Sequence, residues 1–428
     1  MAEETSLADL AATLAHRTRQ AARILATVDG ARRSLAILAA AEALDAKNSE
    51  VLLANALDLE AGRAAGLAPA MLDRLALDHK RLAKIAQAMR QIAAQDDPVG
   101  RHLSHLARPD GLSIEKVSVP LGAVFIVFEA RPNVTCDAAA LCLKSGNAVL
   151  LRGGKEALHT NSALADLFAL ALESTGLPAD AVQLVRETDH QLVNELLKRE
   201  RDLDLVIPRG GEKLIRAVAE STRIPMIKHY KGVCHVYLHP SADAEKARVI
   251  ALNAKTQRPG VCNAAETLLL DRDLPEAVGR SVLSALAQAG VELRACAATR
   301  TKYPDLPLLA ASEEDWDAEY LALVLSVREV AGVSEALDHI AAHGSGHTEA
   351  IVTEDAAAAD AFVAGCDSAS VMVNASTRFA DGGEYGLGAE IGITTDKLHA
   401  RGPMGAFDLT TYKWVVRGNG HVRTRKRS

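Results

Sequence analysis

Thr256 to Leu270 read TQRPGVCNAAETLLL: one cysteine in a Pro-Gly turn, an asparagine beside it, an apolar run behind it. A thiol can carry a covalent intermediate, but it must lose its proton to attack and so needs a local positive field. A turn also exposes backbone N–H groups that can hold a developing oxyanion. These residues alone leave Cys262 open to two readings, a nucleophile or a small core residue. The other five cysteines are set differently. Cys136 and Cys142 fall in an apolar helical run and Cys234 enters a strand, which reads as core for all three. Cys296 and Cys366 lie in alanine-rich stretches with no partner in view. There is no CxxC pair and no zinc-like Cys/His spacing, so no metal site is expected and a dense disulfide framework is excluded.

Two glycine-rich turns carry a second kind of chemistry. LRGGKEA (Leu151–Ala157) and IPRGGEK (Ile207–Lys213) each join a strand end to a helix start. Backbone N–H groups at such a turn can meet a phosphate, assisted by the helix dipole. Neither turn fits GxGxxG, and no P-loop occurs. One such turn is most simply a tight connection; two in one sheet, each with Arg or Lys, point to a nucleotide.

The elements that must position these residues follow from periodicity. The first hundred residues keep helical spacing, and APAMLDRLALDHKRLAKIAQAMRQIAA (68–94) reads as one long helix. GLSIEKVSVPLGAVFIVFEA is extended, as a hairpin or an arm followed by a strand. From Val124 apolar strands alternate with helices, the pattern of a parallel, doubly wound sheet. After Pro240 the alternation restarts. SADAEKARVIALNAKTQ forms a helix with Ser241 as its N-cap and runs into the Cys262 turn. Strands TLLL, LALVLSV, EAIV and SVMVN follow, then a glycine-rich loop region and a last strand, TYKWVV.

Composition sets the outer bounds. The chain has 428 residues and a net charge of −7, with 49% hydrophobic and 3% aromatic residues. That is ordinary globular material for about two or three domains. The acidic balance and few aromatics argue against a nucleic-acid surface, and the basic end RTRKRS reads as a solvated terminus. The acidic start MAEETSLADL has no signal-like apolar core, and no run nears the ~18 apolar residues a membrane span needs. A cytoplasmic protein is expected.

TQRPGVCNAAETLLL, FEARPNVTCDAAALCLKSGNAVLLRGGKEA, VIPRGGEKLI and VNASTRFADGGEYGLGAEIGI resemble the gamma-glutamyl phosphate reductases, also called glutamate-5-semialdehyde dehydrogenases, of the aldehyde dehydrogenase superfamily. The resemblance covers nearly the whole chain. It implies an α/β fold with a Rossmann-type NADPH-binding domain (1–104 and 125–239), an α/β catalytic domain (240–407) and a small β oligomerisation arm (105–124 and 408–428). It implies NADPH-dependent reduction of L-glutamyl 5-phosphate to L-glutamate 5-semialdehyde and phosphate, the second step of proline biosynthesis from glutamate. Cys262 falls on the family's catalytic cysteine, which forms a thioester. Asn133 falls on an asparagine whose amide, with the Cys262 N–H, faces the oxyanion; without the resemblance it reads as a turn residue after Pro132. Arg152 and Lys155 fall at the adenine-ribose turn, and Lys155 suits a 2'-phosphate. Gly210 and Gly211 fall at the pyrophosphate, and Glu319 at the nicotinamide ribose. Arg131, Arg378, His399 and Arg401 are candidates for the amino-acid end of the substrate. KHYKGVCHVYL lacks the glutamate base of hydrolytic relatives. A homodimer or dimer of dimers is implied, with glutamate kinase as a possible partner. Two readings compete: a coenzyme-A-acylating aldehyde dehydrogenase with the same cysteine and cofactor, and a catalytically dead NADP-binding or assembly protein.

Overall fold

The structure, a computed structural model, describes residues 6–228 and 230–423, apart from the side chain of Ala70. The first five residues of the acidic start, His229 in HYKG, and residues 424–428 of the basic end lie outside the described residues. The chain divides into two units: 1–227 with 387–391 and 404–428, and 228–386 with 392–403.

The first unit opens with five helices, Leu7–Leu25, Gly30–Ala46, Asn48–Ala64, Pro69–Leu75 and His79–Ala94. Ser6, Asp29 and Asp78 cap three of them, each side chain accepting from a first-turn N–H. The single helix expected over 68–94 is thus two. The Leu77 N–H leaves the helical ladder to donate to Asn55 Oδ1 at 2.8 Å, and Asp78 starts afresh as an N-cap.

Strands follow: β1 (His102–Ala107), β2 (Ser113–Pro120), β3 (Ala123–Phe128), β4 (Ala148–Arg152), β5 (Val182–Leu184) and β6 (Leu205–Arg209). The last four form a parallel sheet ordered β5-β4-β3-β6. Every residue of β3 is buried, as expected of a central parallel strand covered on both faces. The chain steps outward from β3 through β4 to β5, then crosses back to lay β6 on the other side of β3. The point of reversal therefore lies between β3 and β6, and ligands of open α/β sheets bind beyond the carboxyl ends of strands at such a point.

The second unit contains β7 (Cys234–Leu238), β8 (Ala265–Asp271), β9 (Glu292–Ala295), β10 (Leu308–Ala310), β11 (Val324–Val330), β12 (Thr348–Val352) and β13 (Ser370–Val373). They make one parallel sheet, ordered β10-β9-β11-β8-β7-β12-β13. Alternation along a strand sends Val236 and Leu238 into one core and Tyr237 into another, so both faces of the sheet are covered. A short antiparallel pair, β14 (Ile393–Thr394) and β15 (Gly402–Pro403), completes the unit.

Two sequence expectations shift here. The division falls after Ile227 rather than after His239, because β7 bonds to β8 and β12 and so belongs to the seven-stranded sheet. The helix Ala244–Thr256 is capped by Asp243, not Ser241. The Ser241 hydroxyl instead accepts from the Glu354 and Asp355 N–H groups at 3.2 and 3.1 Å.

The final strand β16 (Thr410–Arg417) returns to the first unit and pairs antiparallel with β2 from Thr410 opposite Pro120 to Arg417 opposite Ser113. With β1 on the other side of β2, this is a three-stranded sheet whose outer strands are both edges. No helix among the described residues is long and apolar enough to cross a membrane.

Candidate active site

In the second unit Cys262 lies half-buried in the turn between the helix Ala244–Thr256 and β8, at the amino-terminal edge of the sheet. Three contacts fix that turn. Gly232 lies so close that a Cβ there would sit 1.9 Å from the Cys262 carbonyl oxygen. The Cys234 thiol, one strand over, donates to the same oxygen at 3.2 Å. Buried Asn263 donates through Nδ2 to the Ala380 carbonyl at 2.9 Å. That last bond ties the Cys262 turn to the short helix Thr377–Phe379, which carries Arg378.

Arg378 brings a positive charge to this turn. Its Nε donates to Gln257 Oε1 at 2.9 Å, which holds it over the same turn. Burial pushes its guanidinium below the usual range; Asp381, Cys262 and Cys234 favour its charged form, and Arg258 opposes it. The thiol and the guanidinium are thus within electrostatic reach of one another.

Glu319 joins this group through the backbone: its Oε1 accepts from the Gly232 N–H at 2.9 Å. The segment that carries it is anchored from below. Lys255 Nζ and Glu266 Oε2 form a fully buried ion pair at 2.6 Å, and Glu266 Oε1 accepts from the Leu321 N–H at 3.3 Å. Burial raises the Glu266 carboxyl to about 7, against the pull of Lys255. Leu321 is held at φ 52°, a left-handed conformation rare for a branched residue. His399 is exposed, and Arg401 is engaged elsewhere, donating to Asp367 Oδ1 at 2.8 Å and to the Asp367 carbonyl at 2.7 Å.

In the first unit the remaining residues gather at the carboxyl edge of the four-stranded sheet. Arg131 and Asn133, both exposed, follow β3, and Asn133 begins the helix Asn133–Lys144. Gly210 and Gly211 follow β6 and precede the helix Glu212–Ser221. The two segments flank the reversal point. Glu129 bridges them, accepting from the Gly211 N–H at 3.2 Å. A Cβ on Gly210 would lie 2.6 Å from the Glu129 carboxyl carbon and would displace that side chain, whereas Gly211 faces open space.

After β4, Arg152 and Lys155 part company. Arg152 is 6% exposed and turns inward, donating to the Thr188 carbonyl at 3.2 Å, and burial lowers its pKa. Lys155 is exposed at the turn. Among the described residues no group of three or more His, Cys, Asp or Glu side chains is arranged to hold a metal.

No spacing singles out Lys255, Glu266, Gly232 or Cys234 as supports of Cys262, because their partners lie eleven or more positions away, outside any helical or strand period.

The family model for the aldehyde dehydrogenase family matches residues 3–299. The chain is 49% identical over 423 residues to a gamma-glutamyl phosphate reductase of Paramagnetospirillum magneticum, covering 99% of this chain and 100% of the relative. It is 54% identical over 413 residues to a protein of the same name from an Anaeromyxobacter species, covering 96% and 97%. Among solved structures, gamma-glutamyl phosphate reductase from Thermotoga maritima is similar with a TM-score of 0.93 and 43% identity, covering 97% of this chain and 100% of that one.

Proposed function

The chain belongs to the aldehyde dehydrogenase family, and on that premise we propose that it reduces L-glutamyl 5-phosphate to L-glutamate 5-semialdehyde and phosphate. Relatives at 49% and 54% identity over nearly the full length carry the name of that activity. The observation that carries the chemistry is the Cys262 turn, gripped by Gly232, Cys234 and Asn263 and sharing its electrostatics with Arg378.

The Cys262 thiolate attacks the acyl carbon; an S–C bond forms, the bond from the acyl carbon to the phosphate's bridging oxygen breaks, and phosphate leaves with the electron pair. The product is a thioester, so one difficult displacement becomes two easier steps. The Cys262 N–H stabilises the oxyanion of each step, and Asn133 is the asparagine to which the resemblance assigns the same role. When bound, a reduced nicotinamide dinucleotide supplies hydride to the thioester carbon. The resulting hemithioacetal collapses, its C–S bond breaks, and Cys262 recovers its electron pair. KHYKGVCHVYL offers no glutamate to activate water, so the thioester is spared hydrolysis.

The first unit fits a dinucleotide. Gly211 opens a ten-residue helix and meets nothing within 4 Å where a side chain would stand, which leaves room at the helix N-terminus for a pyrophosphate. Exposed Lys155 suits the 2'-phosphate of NADPH, and Glu319 the nicotinamide ribose. Arg152 supports that turn from inside rather than meeting the ribose. Arg378 is the cation proposed for the substrate's free α-carboxylate or its phosphate; Arg131, exposed His399 and Arg401, which is held by Asp367, are the further candidates. The two edge strands support association with a second copy. The labile acyl phosphate makes a glutamate kinase the partner class to expect, and the cytoplasm the setting.

The reverse reaction tests the reading: semialdehyde, NADP and phosphate should yield NADPH. Cys262→Ala and Cys262→Ser should both abolish it. NADPH formation indifferent to phosphate but dependent on coenzyme A would reassign the protein to the acylating branch. Activity surviving in Cys262→Ala would make Cys262 a core residue.

A further inference from the structure

Arg258 opens the turn that ends at Cys262. It follows Gln257, which caps the helix Ala244–Thr256, and it precedes Pro259. A proline disfavours helical backbone in the residue before it, so the helix stops here and the chain turns away. The Arg258 side chain is exposed at the head of that turn, and no carboxylate among the described residues pairs with it.

A second guanidinium is tied to the same place. Gln257 Oε1 accepts from Arg378 Nε at 2.9 Å, and Ser376 Oγ accepts from the Arg378 backbone N–H at 3.3 Å. Half-buried Arg378 is thereby tethered to the residue beside Arg258. The two cations feel one another: burial and Arg258 oppose the charge on Arg378, while Asp381, Cys262 and Cys234 favour it. Asp381 is itself shared, since its Oδ1 accepts from the Gly383 N–H at 2.9 Å. Like charges held together are unfavourable until an opposite charge joins them. Beside a candidate nucleophile, such a pair points to an anionic ligand.

The substrate carries two anions. Its phosphorus lies just past the oxygen bonded to the acyl carbon, whereas its α-carboxylate is at the far end of the carbon chain. An anion site that shares the cysteine turn suits the nearer group. Charge agrees, because a phosphate ester carries more than one negative charge at neutral pH and a carboxylate only one. Each guanidinium can also meet phosphate oxygens with two parallel N–H donors.

We propose that Arg258 and Arg378 together form the phosphate site of the Cys262 turn. They hold the substrate's phosphate beside the acyl carbon, take up its charge as it leaves, and hold inorganic phosphate for the reverse reaction. Arg258 is thus a specificity residue, one that favours phosphate over a thiol as acyl acceptor. The inference rests on the reading of Cys262 as the acyl carrier. Both arginines, Gln257 and Cys262 belong to the second unit, so the site asks nothing of the first.

The test uses the full chain and two readouts. In the reverse reaction, Arg258→Gln should raise KM for phosphate about tenfold, with KM for semialdehyde and NADP within about threefold of wild type. Arg258→Lys keeps the charge and should recover most of that loss. Separately, without substrate or cofactor, inorganic phosphate should slow alkylation of wild-type Cys262 by iodoacetamide, and sodium chloride at equal ionic strength should not. Half-protection should need about tenfold more phosphate in Arg258→Gln.

Wild-type phosphate KM and wild-type protection in Arg258→Gln would overturn the proposal. So would equal protection by chloride, or a loss that Arg258→Lys does not recover at all. A rise in the semialdehyde KM alone would overturn it too, by giving the pair to the α-carboxylate. Phosphate protection that weakens in Arg258→Gln, in a protein that forms no NADPH from semialdehyde, NADP and phosphate, would keep the anion site and overturn the reductase reading, an outcome distinct from the others.

Discussion

Cys262 differs from the other cysteines in which residues surround it, not in its own type. Cys136 and Cys142 have the same side chain, yet burial in their helix pushes both thiols far above their ordinary range, out of reach of ionisation at neutral pH. Cys262 is half-buried, and Arg378, on the short helix Thr377–Phe379, lies within electrostatic reach of it. If that guanidinium sustains the thiolate, Arg378→Leu should slow alkylation of Cys262 by iodoacetamide about tenfold at neutral pH, and raising the pH should restore much of the rate. An alkylation rate equal to wild type would remove Arg378 from the activation of the thiol and leave it with substrate binding alone. Cys262 was legible as a candidate from its Pro-Gly-Val-Cys-Asn context. Arg378 was legible only as a cation somewhere downstream, since the bond that brings it close runs through Asn263 to a backbone carbonyl over a hundred residues away.

At the scale of elements, the two units present their functional residues at opposite kinds of sheet edge. Asn133, Gly210 and Gly211 follow the carboxyl ends of β3 and β6, where a reversal of strand order opens a crevice. Cys262 precedes β8, at the amino-terminal edge, where no such rule points to a site. There the geometry is enforced by a buried ion pair. Lys255 closes the helix before the turn, and Glu266 begins the strand after it. Removing one member leaves an uncompensated buried charge, so Lys255→Met should destabilise by about 3–5 kcal/mol in urea unfolding. The double change Lys255→Met with Glu266→Leu should recover most of that stability. It should still impair activity, because Leu321 and the Glu319 segment lose the acceptor that holds them. Equal destabilisation by the single and double variants would mean that the pair does more than neutralise itself.

For the whole molecule, the sheet of β1, β2 and β16 bears most directly on assembly. Every residue of β1 is exposed, and β16 presents Tyr412, Trp414 and Val416 to solvent at 47%, 58% and 55%. Lys116 lies over the Tyr412 ring at 3.6 Å, which arranges these aromatics as a face rather than as loose side chains. Apolar side chains on unpaired edge strands call for a partner strand or surface. Trp414→Glu should therefore lower the mass seen by light scattering, whereas a change at exposed Lys397 should leave it unaltered. An unchanged mass in Trp414→Glu would place the association surface elsewhere.

The sequence by itself determined the alternating α/β architecture, the extended arm, the two glycine-rich turns and the cysteine turn. Each is written in local periodicity or in residues with special backbone chemistry, and those signals need no long-range partner. The long stretch 68–94 misled because helix propensity continues across Leu77, and only a bond to Asn55 interrupts it. Tertiary structure alone decided that β7 joins the second sheet, that Arg152 turns inward while Lys155 does not, and that Cys262 is clasped by Gly232 and Cys234. It also decided that Asn133 meets Asp137 rather than standing alone. These are matters of strand pairing, close approach and burial. They depend on which surfaces meet after the chain has collapsed, and no spacing along the chain records that.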